Sequence, residues 1–165
     1  MSGGKESFMS TTTSPDSVFW QDSLMKIKAR AGDTGGALGV LEGAFYHAGY
    51  GPPLHVHSRE DEVIYVLEGQ IRFRVGEDEF VAGPGDWVWQ PRGVPHSFRV
   101  ESDSARALVI FTPGGGERMF EEGGVPADES AEPPEQQEYD LEAAVALSKK
   151  FGVEFVGPQV GTASP

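Results

Sequence analysis

The sequence predicts an all-β domain, a sandwich or barrel of short strands, followed by an acidic linker and one helix. Three observations lead there. Turn signals built on Gly, Pro and Asp recur at about 8–12 residue intervals through the first two thirds of the chain, the spacing of strand-rich sandwiches and barrels. Gly 22 and Pro 12 in 165 residues are high for a helical protein. The runs between the turns are rich in Val, Ile, Phe and Trp, and no strand–helix alternation interrupts them.

Taken in order, residues 1–17 are small and polar with nothing periodic to bury, and they are expected to be disordered. Residues 18–30 turn apolar around Leu24 and Ile27 and are read as a first strand. The run Ala31-Gly-Asp-Thr-Gly-Gly36 is a turn. A second strand over 38–47 would carry Phe45 and His47 on one face and Ala44 and Tyr46 on the other. Pro52 and Pro53 end it, because neither can donate to a ladder. Residues 54–58 are short and extended, and the β-branched run 62–67 reads as a buried strand. Gly69 turns the chain into 71–75, where apolar residues alternate with Arg72 and Arg74, which are expected to face solvent. Phe80 and Val81 lie on the return strand, and Trp87-Val-Trp89 follows Pro84-Gly85-Asp86. A corner over 91–96 leads to strands at 97–100 and 105–112.

After Pro113-Gly-Gly-Gly116, read as a flexible exit, the composition shifts. Ten acidic residues stand against the single Arg118 between Glu117 and Glu142. Met119 and Phe120 are expected to form one docked turn, and 127–137 a solvated linker. Asp140 reads as an N-cap. Leu141, Ala144, Val145, Ser148 and Phe151 repeat at helical spacing, with Gly152 as a stop. The apolar piece 153–156 fits either an added strand or a docked segment. The domain organisation expected is therefore a disordered N-terminus over 1–17, a barrel over 18–115, and an acidic linker with C-terminal helix and tail over 116–165.

Composition excludes several function classes. The chain has no cysteine, so a disulfide framework and a thiolate zinc site are both ruled out. A net charge of −13 argues against nucleic acid or an anionic membrane surface as partner, since both demand a basic footprint. No apolar run approaches the roughly 20 residues of a spanning helix, and the N-terminus lacks a signal-peptide apolar core. A cytoplasmic location is the expectation.

The chemistry concentrates in two stretches. In Gly49-Tyr-Gly-Pro-Pro-Leu-His55-Val-His57-Ser-Arg-Glu-Asp-Glu62, two of the four histidines stand two apart. On a strand, positions i and i+2 share a face, so His55 and His57 would aim two imidazoles into one volume, with Glu62 adding an oxygen from the next strand. Glu60 and Asp61 are alternative carboxylates, read mainly as solvated loop charge. The second stretch is Gly85-Asp-Trp-Val-Trp-Gln-Pro91-Arg-Gly93-Val-Pro-His96.

Together the stretches meet the spacings G-x5-H-x-H-x4-E-x6-G, on Gly49, His55, His57, Glu62 and Gly69, and G-x5-P-x-G-x2-H, on Gly85, Pro91, Gly93 and His96. The pair resembles the cupin superfamily, specifically its small single-domain metal-binding members. The second motif of that family usually closes on Asn, where this chain has Val100. The resemblance implies a double-stranded β-helix, a jelly-roll-like barrel, and one divalent transition-metal ion held by His55, His57, Glu62 and His96. Three imidazoles and a carboxylate suit iron, manganese, nickel, cobalt, copper or zinc, and do not suit calcium or magnesium.

Around this site, Phe45, His47, Trp87 and Trp89 are candidates for a substrate pocket. For His47 an ordinary packed or surface role also fits, and for the two tryptophans packing on the outer sheet or a dimer contact. Residues 113–127 resemble the segment after the barrel in quercetinase-like cupins. That implies a dioxygenase acting on a small enol or phenol of flavonol type, with dioxygen as co-substrate and Glu62 as general base toward a substrate hydroxyl. Two alternatives stand beside it: a metal-dependent polyketide cyclase or isomerase, and a non-catalytic small-molecule-binding module. The resemblance also implies a homodimer. The final helix fits a packing role on the barrel or on a partner subunit, and also a lid over the pocket.

Overall fold

A computed structural model describes residues 7–10, 16–128 and 141–161. The expectations of disorder over 1–6 and 11–15, of a solvated linker over 129–137 and of an Asp140 N-cap lie outside the described residues. The strands are β1 (Ser17–Trp20), β2 (Ser23–Ala29), β3 (Gly39–Phe45), β4 (Leu54–His57), β5 (Asp61–Glu68), β6 (Ile71–Val75), β7 (Asp78–Ala82), β8 (Trp87–Gln90), β9 (His96–Val100), β10 (Ala105–Thr112), β11 (Val125–Pro126) and β12 (Val153–Gly157). Two helices complete the list, α1 (Glu117–Gly123) and α2 (Leu141–Lys150).

The strands form two antiparallel sheets, one ordered β11-β1-β2-β3-β10-β5-β8 and the other β12-β4-β9-β6-β7. The core lies between them. β10 shows how the sequence specifies this: Ala105, Ala107, Val109 and Phe111 are buried while Arg106, Leu108, Ile110 and Thr112 are only partly so, a period of two along an interior strand. Phe73 on β6 and Phe111 on β10 are both almost fully buried, and each contributes about 3 kcal/mol through apolar area removed from water. The motif glycines Gly49, Gly69, Gly85 and Gly93 all sit at positive φ in the turns that reverse the strands.

Four local expectations need correction or sharpening. Residues 18–30 are not one strand but the hairpin β1–β2, with Trp20 paired to Ser23. Its turn contains no Gly or Pro, and Gln21 takes a left-handed φ of 55°, so the usual punctuation was missing. Met119 and Phe120 belong to a seven-residue helix rather than one turn. The piece 153–156 adds a strand: β12 pairs with β4 in the second sheet. The glycine run at the barrel exit is close-packed rather than free. A Cβ on Gly116 would come within 2.6 Å of the Phe111 ring, and one on Gly114 within 2.7 Å of Leu38 backbone.

The first residue of α1 locks that exit. Glu117 is completely buried; one carboxylate oxygen accepts the Ala31 N–H and the other the Gly115 N–H, each at 2.7 Å. Charged hydrogen bonds of this kind compensate the cost of burying a carboxylate. The C-terminal segment is tied in by polar contacts as well. The Val160 N–H donates to Ser97 Oγ at 3.0 Å, Ser97 Oγ donates to Pro52 O at 3.0 Å, and Gln159 Nε2 donates to Gly49 O at 3.0 Å. Chain end and first motif are thereby laced together.

Candidate metal centre

The four expected donors converge. β4 places His55 and His57 on its inward face with Val56 turned away between them, as period two requires. β9 pairs with β4 so that His96 lies directly opposite His55, ring centroids 4.5 Å apart. Glu62 comes from β5 in the other sheet, so the group bridges the two layers. One ligand atom from each of His55, His57, Glu62 and His96 lies within 4.8 Å of the rest, and all four residues are buried. Glu62 Oε2 stands 3.2 Å from His57 Nε2 and 3.3 Å from His96 Nε2.

The far nitrogens of the rings set their orientation. His55 Nδ1–H donates to Pro53 O at 2.8 Å and His96 Nδ1–H to Val94 O at 2.9 Å. A carbonyl can only accept, so Nδ1 of each of these rings carries a proton and Nε2 is the nitrogen turned into the cluster. His57 Nδ1 instead faces Glu60 Oε2 at 3.7 Å, ion-pair range but beyond a hydrogen bond.

These surroundings drive the titrations apart. Burial, with the neighbouring His96 and His57, lowers His55 to about 3. His57 rises to about 9, because attraction to Glu60 and Glu62 outweighs the burial that pulls it down. Burial also works against the ionised Glu62, yet the His57 and His96 imidazoles hold it well below the usual carboxylate range. The cluster thus sets an anionic carboxylate against the protonated His57 ring. A divalent cation would replace that proton, and the inward nitrogens with one carboxylate oxygen are the donor set a transition metal takes. On its chemistry, the donor set fits.

Beside the cluster opens a pocket whose lining includes His55, His57 and Glu62 and an aromatic wall of Phe45, Tyr50, Phe98, Phe111 and Phe155. The space between these walls, open solvent at the mouth included, is about 710 Å³. Phe45 and Tyr50 stack at 5.0 Å and 17°, and the Tyr50 hydroxyl is 2.7 Å from Ser23 Oγ. Trp20 and Gln21 from the first hairpin, Phe120 from α1, Ser148 from α2 and Val153 from β12 also line it.

Of the expected pocket residues, Phe45 lines this cleft and His47, Trp87 and Trp89 do not. β3 ends at Phe45, so the chain leaves the strand before His47, which is half exposed and pairs with Asp22. On β8 the inward positions are Val88 and Gln90, and both tryptophans face out. Asp61 is held by Arg92 at 2.9 Å. Glu60 corrects the solvated-loop reading, being buried against His57.

Sequence reasoning also passed over Phe98, Phe111, Phe155 and Gln90. Phe98 was within reach of it, two residues from His96 on one strand face. Gln90 is buried opposite Glu62 in the β5–β8 ladder, with neither end of its amide hydrogen-bonded among the described residues.

Comparison with known proteins agrees with this geometry. The Cupin domain family matches residues 44–112, the span that carries all four donors. The chain is 32% identical to the quercetin 2,3-dioxygenase of Bacillus subtilis over 82 residues, 50% of this chain and 24% of that one. It is 37% identical over 65 residues to the dimethylsulfoniopropionate lyase DddQ of Ruegeria pomeroyi, 39% of this chain and 32% of that one. In both cases the aligned part is less than two thirds of the relative's length. Among solved structures, KdgF from Halomonas sp. superposes with a TM-score of 0.61 at 18% identity, covering 68% of this chain and 99% of that one. An oxalate decarboxylase variant from Bacillus subtilis superposes at 0.56 and 22% identity, covering 70% of this chain and 32% of that one. At such identities the superpositions speak for the fold.

Proposed function

Starting from the chain's place in the cupin superfamily, we propose that it is an enzyme holding one divalent transition-metal ion on His55, His57, Glu62 and His96. The reaction proposed is dioxygen-dependent oxidation of a small, flat enol or phenol. The observation that carries this reading is the joining of a buried His-His-Glu-His cluster to an aromatic-walled pocket. Similarity to a quercetin dioxygenase over half the chain supports the reaction class.

When bound, such a metal supplies Lewis acidity toward a substrate oxygen and, in its redox-active forms, a path for electrons to dioxygen. The protein's own part is binding and proton handling. Phe45, Tyr50, Phe98 and Phe111 offer ring faces and edges to a planar substrate and keep bulk water from the cluster. Glu62 is proposed as the general base that takes the hydroxyl proton of an enol or phenol, since it lines the pocket beside the cluster.

The test is turnover of a panel of enols and phenols with and without oxygen. Loss of turnover under argon, with product heavier than substrate by inserted oxygen, is the expected result. Turnover that persists without oxygen contradicts the dioxygenase.

A second reading, lyase or isomerase chemistry without oxygen, is favoured by the similarity to a dimethylsulfoniopropionate lyase. It covers the cyclase or isomerase alternative and gives product without added oxygen: isomerisation conserves substrate mass, and elimination conserves it across two fragments.

A further inference from the structure

The three imidazoles of the cluster are not anchored alike. His55 and His96 each donate Nδ1–H to a backbone carbonyl two residues earlier. At His57 that place is taken by the Glu60 carboxylate, whose Oε2 lies 3.7 Å from Nδ1. Glu60 is only 5% exposed, and both facing atoms are buried without a hydrogen-bond partner among the described residues. A buried carboxylate oxygen and a buried ring nitrogen left unpaired side by side are costly. Shortening the gap by about 0.8 Å would satisfy both.

The wall behind Glu60 is built with care. A Cβ on Gly115 would lie 3.3 Å from Glu60 Oε1, and Gly115 sits at φ 148° with its N–H on Glu117. The exit from the barrel therefore presses a glycine, and no side chain, against the carboxylate.

We propose that Glu60 is a positioning residue of the metal centre: its carboxylate accepts the Nδ1–H of His57, fixes that ring with Nε2 inward, and makes it a stronger donor. The inference rests on the reading of His55, His57, Glu62 and His96 as metal ligands. It gives His57 a carboxylate partner where its two companions have carbonyls, and partners of this kind raise ligand basicity.

Cobalt(II) binding to chelator-treated protein tests it, read by affinity and by the visible ligand-field spectrum, with metal-free folding checked by thermal melting. Glu60→Leu is expected to weaken cobalt binding about 10- to 100-fold and to shift the spectrum. Glu60→Gln, whose amide oxygen can still accept from Nδ1–H, should fall between Leu and wild type. Asp61→Asn, at the neighbouring carboxylate paired with Arg92, should bind as wild type does.

Cobalt affinity of Glu60→Leu within twofold of wild type, with an unchanged spectrum, overturns the role of Glu60 and leaves the metal reading standing. Absence of cobalt binding by wild type itself overturns both. Should Glu60→Leu fail to fold, Glu60→Gln decides: a weakened affinity with a shifted spectrum supports the proposal, and wild-type values on both overturn it.

Discussion

His55 and His57 stand two residues apart on one strand face and titrate in opposite directions, because different groups lie around each ring. His55, buried among other imidazoles, stays neutral down to about 3, while His57, between two carboxylates, keeps its proton up to about 9. The sign of the pH dependence follows. Below about 6.5, an unfolded His55 takes a proton that the folded one refuses, so stability falls as pH drops toward 3. Between about 6.5 and 9, folded His57 holds a proton that the unfolded chain has released, so stability falls again as pH rises. Chelator-treated protein should therefore melt highest near pH 6.5. The alkaline loss should reach at most about 3 kcal/mol by pH 9 and above. Bound metal, holding His57 deprotonated, should abolish the alkaline decline. A melting temperature of the metal-free protein that is flat from pH 6.5 to 9 contradicts the arrangement.

Gln90 offers a second single-residue test. Its amide is buried opposite Glu62 with both ends unpaired among the described residues. Removing an unsatisfied buried amide is neutral or stabilising, whereas removing a bonded one costs about 1–3 kcal/mol. Gln90→Leu is therefore expected to leave the melting temperature unchanged or raised. A fall of several degrees would mean that the amide has partners, most simply bound water.

Residue types and spacing made the four donors legible, because strand parity alone puts His55 and His57 on one face. Parity puts Trp87 and Trp89 on one face of β8 without saying whether that face is inward, so a pocket and an outer-sheet role both fit the sequence; in the structure both side chains face out. Glu60 was illegible for another reason. What buries it arrives from Gly115, more than fifty residues later.

At the scale of elements, the C-terminal segment is tied to the ligand strand itself. β12 pairs Val153 with His57 and Phe155 with His55, and Phe151, Val153 and Val160 are buried. Each such residue is worth about 1.5–3 kcal/mol of burial. Deleting residues 141–165 should lower the melting temperature of the metal-free protein by on the order of 10 °C and weaken metal binding with it, measured by thermal melting and cobalt titration. Unchanged stability with altered substrate affinity would instead make the segment a lid. The helix was legible from its 3.6-residue period. The strand was not, since four apolar residues after a glycine fit an edge strand and a docked segment equally well. The β1–β2 hairpin was missed because Gln21 performs a turn usually marked by glycine.

For the molecule as a whole, spaced turns and β-rich runs were enough to reach a two-layer antiparallel fold, and the two motifs placed the cluster between its layers. The partner strands were not readable, because pairing such as β3 with β10 joins segments about sixty residues apart. Trp87 and Trp89 stand 58% and 47% exposed on the terminal strand of their sheet, a surface suited to the homodimer that the family resemblance implies. Trp89→Glu should convert a dimer to a monomer in sedimentation; a wild-type monomer at working concentration contradicts the dimer.

The central claim is that four side chains from three strands and both sheets hold one metal ion. Elemental analysis of wild type and His96→Ala, each purified without added metal and verified as folded, tests it most directly. The result expected is about one transition-metal ion per chain in the wild type and a loss of most of it in the variant. Full occupancy in His96→Ala, or a wild type that takes up no metal even when it is supplied, would contradict it.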